Sequence, residues 1–149
     1  MNVLQFATLA ITGFVACAEF GSYAFVHPVL RRLPPEYHLQ VEKGLLGTFG
    51  RIMPVGMTLA PVLAIIYASN SAEDALVWPR WAAVAALSVA LVTTISVNVG
   101  INRATGHWDP DNPPADWRTT RQRWERFQAI RSWLLLAGFV LLCVAASVD

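Results

Sequence analysis

Glu19 stands inside the apolar stretch Val3 to Val26. A charged group there costs on the order of 2–3 kcal/mol unless it is paired, protonated or set against a wet cavity. His27 follows about two helical turns later, with Tyr23 between them on the same side of the helix. Together they could supply a general base and a hydrogen-bonding relay. His38 and Glu42 are four apart, which places an imidazole and a carboxylate on one helical face. With His27, and with Glu19 near it, they offer nitrogen and oxygen donors to a divalent metal, without the stringent spacing of a motif such as His-Glu-x-x-His. Asn98 and Asn102 close another apolar run, and Trp124, Gln128 and Arg131 share one face of a later helix. These five are candidate substrate-binding residues: the amides and the guanidinium can clamp a developing enolate, and the indole can stack on an aromatic ring. Plainer roles compete with each assignment. Glu19 could simply bond Asn98, Tyr23 or an arginine inside the bundle, and Trp124 and Arg131 could be an interfacial anchor and a topology-setting cation.

The elements that must position these residues are legible in the hydropathy. A chain of 149 residues that is 55% hydrophobic and 14% charged is too apolar for a soluble domain of its size. Apolar spans at 3–26, 52–69, 81–101 and 130–148 are each near the ~20 residues that cross a hydrocarbon core as a helix. This predicts an all-α protein, a single four-helix transmembrane bundle with antiparallel neighbours, capped by the loops after the first and third spans. Basic residues are shared unequally among the loops. Arg31, Arg32, Lys43 and Arg51 lie in the first, and Arg103, Arg118, Arg121, Arg123, Arg126 and Arg131 in or beside the third, whereas the second has only Arg80. Lys and Arg are retained on the cytoplasmic side, so loops one and three are expected there and both termini outside. The candidate residues then gather at the cytoplasmic end of an integral membrane bundle.

Finer expectations follow from spacing. Small residues at Gly56, Ala60, Ala64 and Ala68, and at Ala82, Ala86 and Ala90, form stripes that let helix backbones approach closely; Thr94, Asn98 and Asn102 extend the second stripe into a polar one. On the first helix the pattern places Leu9, Gly13, Ala16, Phe20, Tyr23 and His27 on one face with Glu19 at its edge, and Pro28 ends that helix. A short interfacial helix is predicted around His38–Glu42, with Pro54 in the first turn of the second span. Asp116 is placed as an N-cap for a helix that starts at Trp117 and runs into the fourth span. Asp109, Asp111 and Asn112 read as turn chemistry and lack the spacing of a calcium loop. Arg118 to Arg126, beside a membrane span, are read as facing lipid headgroups rather than nucleic acid. Ala16-Cys17-Ala18 resembles a processing site, but the apolar run continues past it with no basic residue before it, so the segment reads as a span. Cys17 and Cys143 read as small buried hydrophobes.

Several segments together resemble the anthrone oxygenase-like family of small four-helix membrane proteins. They are Asn98-Val99-Gly100-Ile101-Asn102, Trp108-Asp109-Pro110, Pro113-Pro114-Ala115-Asp116-Trp117-Arg118 and Arg123-Trp124-Glu125-Arg126-Phe127-Gln128-Ala129-Ile130-Arg131, with Arg51-Ile52-Met53-Pro54 and His27-Pro28 also similar. Two positions depart from the family pattern: Gly100 stands where a Pro is usual, and Gln128 where a His is usual. The resemblance implies oxidation of anthrones to anthraquinones by molecular oxygen without an evident organic cofactor, a missing base being supplied by His27, His38 or His107.

The combined expectation is an oxygenase-type oxidoreductase acting on a lipophilic aromatic or polyketide-like substrate taken from the lipid bilayer. Glu19 or His27 would deprotonate it, with no cofactor or with a divalent transition metal. The alternative is a non-catalytic membrane protein that binds a lipophilic ligand or a partner subunit. Transport has less support because no pair of broken helices is evident, and the sequence leaves a homo-oligomer open.

Overall fold

The computed structural model describes residues 2–70 and 77–147, and the regular elements among them are all helical. Four segments, α1 (Val3–Leu30), α2 (Pro35–Ser69), α3 (Val77–His107) and α4 (Trp117–Ala146), are each long and apolar enough to cross a membrane. The chain is therefore a four-helix membrane bundle. α1 and α3 each pack against both α2 and α4, so the helices form a ring. One end of the bundle, the basic end, carries the connections 31–34 and 108–116; Asn2 and Ser147 lie at the opposite end.

The helices start and stop for local reasons. Asn2 Oδ1 accepts the Gln5 N–H at 2.8 Å and caps α1. Pro34, held extended by the proline after it, precedes Pro35 in the first turn of α2. Asp111 N–H donates to Asp109 Oδ1 at 3.1 Å, forming the turn that Asp109-Pro110-Asp111 predicts.

Several boundaries differ from the sequence expectation. α2 is one helix of 35 residues, so 35–51 is a continuous extension of the second span rather than a loop with a separate interfacial helix. Pro54 consequently sits inside a helix, as does Pro61; interior prolines are tolerated in membrane helices because neighbours re-satisfy the freed carbonyls. α1 continues through Pro28 to Leu30. Asp116 occupies the N-cap position of α4 but its side chain makes no capping bond. Arg80, assigned to the second loop, is in the first turn of α3, 1% exposed, with its guanidinium 4.9 Å from the Tyr67 ring centre. Cys17 and Cys143 are exposed. Position 148 of the fourth expected span lies outside the described residues.

Toward the opposite end the bundle closes on small residues. Ala60, Ala64 and Ala68 are buried as their stripe predicts. On α3 the buried row is Ala83, Leu87 and Ala90, with Ala82 and Ala86 only half-buried. A Cβ on Gly56 would meet Val15 Cγ2 at 2.6 Å, and one on Gly138 would meet Leu87 at 3.0 Å, so α1–α2 and α3–α4 approach too closely for a side chain at those positions. The buried face of α1 also differs from the expected one. It runs through Thr8, Thr12, Ala16, Glu19 and Ser22, leaving Phe20 and Tyr23 half-buried and placing Glu19 at its centre. Lipid is as apolar as a protein core, so the large apolar side chains of α1 gain nothing by turning inward and the small and polar ones line the contact.

Candidate functional site

Two irregular turns prepare the basic half of the bundle. α1 passes through a π-helical turn at Ser22–Val26 and α3 through another at Thr94–Asn98. In each, a backbone N–H reaches back five residues: His27 to Ser22 and Val99 to Thr94. In an unbroken helix, positions eight apart diverge by roughly 80° at 100° per residue; one extra residue in the turn cuts that to roughly 20°. His27 is thereby brought onto the face of Glu19, and Asn98 onto the face of Ala90. The π turn of α1 also interrupts the hydrogen-bond ladder just where Pro28 has no N–H to donate.

The first polar layer is centred on Glu19, which is 3% exposed. Its Oε2 accepts from Arg131 Nη2 at 2.8 Å and from Gln128 Nε2 at 2.9 Å, both on α4. Arg131 also donates to Gln128 Oε1 and to Thr94 Oγ1 at 3.4 Å. Ser132 Oγ donates to the backbone oxygen of Glu19 at 3.1 Å, fixing the height of α1 against α4. A guanidinium is thus held by a buried carboxylate, a geometry that sustains both charges because each satisfies the other.

The second layer is centred on Glu42 of α2, nearer the basic end. Arg121 Nη2 lies 2.7 Å from Glu42 Oε2, with both side chains buried. His27 Nδ1 and His38 Nε2 lie 3.6 Å and 3.5 Å from the other oxygen, Oε1, beyond ordinary hydrogen-bond length. Trp124 is held here: the His27 ring, tilted to it, has its centre 4.9 Å away and the Arg121 guanidinium is 4.2 Å from the indole, a cation–π contact that orients the ring. Asn98 Nδ2 donates to the backbone oxygen of Trp124 at 3.4 Å.

Both layers border a cavity of about 540 Å³, within the ~300–1,000 Å³ typical of small-molecule sites. Its walls are mainly apolar, with Leu46, Phe49, Met53 and Met57 from α2 and Leu91 and Ile95 from α3. Thr58, Ile95 and Val99 line it and are exposed on the outer surface, so the cavity reaches the lipid-facing side along the α2–α3 seam. Of the candidate residues, Glu19, His27, Glu42, Asn102, Trp124, Gln128 and Arg131 line it. Tyr23 lies outside the lining, edge-on to Phe20 with ring centres 6.0 Å apart. Asn98 braces α3 against α4 instead of facing the cavity. His38 is behind Glu42, edge-on to Trp117. The proposed ligand residues His27, His38 and Glu42 do converge, but with the Arg121 guanidinium on the same carboxylate; among the described residues no group of three His, Cys, Asp or Glu has an arrangement that could hold a metal ion.

The sequence places Arg121 among the headgroup-facing arginines, yet it is 2% exposed and belongs to the site. The signal was present: stepping back three residues along the face of Trp124, Gln128 and Arg131 lands on Arg121.

Comparison with known proteins gives one family. The model of the anthrone oxygenase family matches residues 46–141, a stretch that includes the π turn of α3, Arg121, Trp124, Gln128 and Arg131. No curated protein and no solved structure matches the chain.

Proposed function

The chain belongs to the anthrone oxygenase family, and from that premise we propose that it is a membrane-embedded oxygenase that converts a lipophilic anthrone-like substrate to the corresponding quinone. One observation carries the reading: an imidazole and an arginine–amide clamp, His27 with Arg131 and Gln128, border the same apolar cavity that opens toward lipid. In this reading His27 takes a proton from the activated methylene of the substrate. Glu42, on the Nδ1 side of the ring, orients the imidazole and stabilises it once protonated. The resulting enolate oxygen is stabilised by Arg131 and Gln128, whose positions Glu19 fixes in advance. The carbanion reacts with molecular oxygen to give a hydroperoxide. Loss of water from that hydroperoxide leaves the new carbonyl, so one oxygen atom ends in the quinone and the other in water. Tyr23 and Asn98 act through packing, and Asn102 contributes an amide to the cavity wall. The excess of Lys and Arg supports a cytoplasmic placement of the basic end with both termini outside.

The test is oxygen uptake and quinone formation with anthrone as the probe, using the purified protein in lipid nanodiscs. Wild-type protein is expected to accelerate the reaction over protein-free nanodiscs, and His27→Ala to lose about 10²- to 10⁴-fold of that acceleration. Wild-type protein that binds anthrone but never turns it over would make the chain a holder of lipophilic ligands. Full turnover by His27→Ala would remove the imidazole from the role of base.

A further inference from the structure

The cavity is longer than the proposed reaction requires. Along α2 it is bordered from Glu42 to Thr58, a run of roughly 24 Å at 1.5 Å per residue, much longer than three fused rings laid end to end. Its character changes along that length. Met57, Thr58 and Leu91 line the deep end, the Glu19–Arg131 clamp lies between, and His27, Arg103 and His107 line the basic end. The charges do not cancel along it. Glu19 is held by Arg131 and Glu42 by Arg121, whereas Arg103 makes no ion pair among the described residues and is exposed at the mouth. His107 Nδ1 donates to the Arg103 backbone oxygen at 2.7 Å, which holds the imidazole against its own helix at the rim of the mouth. Glycine keeps this end open: Gly106 lines the cavity, and a Cβ there would come no closer than 4.0 Å to Leu46.

We infer that the substrate is an elongated amphiphile bearing a carboxylate, which Arg103 binds at the basic end while the ring to be oxidised lies between His27 and Arg131. This deepens the functional reading above and rests on it for the identity of the ring. An apolar substituent on the far side of the ring would fill the space beside Met57 and Leu91. The seat suits a carboxylate because an exposed guanidinium presents a planar pair of donors that matches its two oxygens.

The experiment is equilibrium binding of anthraquinone-2-carboxylate and of neutral anthraquinone to the intact protein in zwitterionic nanodiscs, read by tryptophan fluorescence quenching. Neither probe needs to be turned over. Wild-type protein is expected to prefer the carboxylate, and Arg103→Gln to cut the carboxylate-to-neutral affinity ratio roughly 10- to 100-fold, the worth of a charge-assisted hydrogen bond. Gly106→Leu, which fills the mouth, is expected to lower the same ratio. An unchanged ratio in Arg103→Gln, or an equal loss for both probes, overturns the inference. So does abolition of the preference by anionic lipid in the nanodisc, which would assign Arg103 to a headgroup. A wild-type protein that shows the Arg103-dependent preference but oxidises neither anthrone nor anthrone-2-carboxylate would overturn the oxygenase reading while leaving the carboxylate seat in place.

Discussion

α3 meets its neighbours in two ways along its length. Toward the opposite end, Ala83 and Leu87 close on Gly138 of α4, where a single added Cβ would come within 3.0 Å of Leu87. Toward the basic end the same helix borders an open cavity. The difference follows from which helices the charges tie together. Glu19–Arg131 joins α1 to α4 and Glu42–Arg121 joins α2 to α4, both through short charged contacts. α3 is joined there through neutral side chains, with Thr94, Asn98 and Thr105 making contacts of 3.4–3.5 Å. Gly50 of α2 lines the cavity there, with nothing outside its own helix near its absent side chain. Space therefore opens beside the helix with the weakest polar ties. In a membrane, where no hydrophobic force draws helices together, packing of small residues closes one half and the pattern of ion pairs decides where the other stays open.

Three substitutions break or sharpen this contrast. The largest effect is expected from Arg131→Ala, which leaves the Glu19 carboxylate buried without its cation. The expected loss is about 3–5 kcal/mol of stability, read by reversible unfolding in mixed micelles, and joint replacement of Glu19 and Arg131 by Met should recover most of it. A loss below about 1 kcal/mol would show that Glu19 does not depend on Arg131. Next, Gly138→Leu forces a side chain into the closed half and is expected to cost about 1–3 kcal/mol in the same assay. If it is neutral, α3 and α4 can separate and the closed half is not close-packed. The smallest effect is expected at the open half. Gly50→Ala meets only Leu46 of its own helix, at 3.8 Å, and is expected to be stabilising by up to about 1 kcal/mol, since glycine is a poor helix residue. Marked destabilisation there would show that the cavity wall is in contact with something.

Much of the framework was legible in the hydropathy and the charge bias: four spans, their order, and the gathering of Glu19, His27, Gln128 and Arg131 in the same half of the bundle. What was not legible has identifiable causes. The faces of α1 and α3 were projected at a constant 100° per residue, and a π turn breaks that rule without a clear sequence mark; hence His27 was aligned with Tyr23, whereas the fold aligns it with Glu19. The extension of α2 through 35–51 was obscured because His38, Glu42 and Lys43 lower its hydropathy, although Glu42 is buried and Lys43 is used to bind the Trp108 backbone oxygen at 2.9 Å. Arg80 and Arg121 illustrate the same limit. Charge alone placed them in loops, and only tertiary partners, the Tyr67 ring and the Glu42 carboxylate, account for their burial.

The bond between Glu19 and Arg131 joins residues 112 apart in the chain, and that separation has a meaning during synthesis. At ~5–20 residues per second, about 6–22 seconds pass between the addition of the acid and the addition of its partner. α1 reaches the bilayer well before α4 exists, carrying a group whose charged form costs on the order of 2.5–3.5 kcal/mol at the centre of a lone span. Until α4 arrives, Glu19 is without the cation that holds it in the finished bundle. The last helix to be made thus brings the partner that offsets the cost of the acid carried by the first.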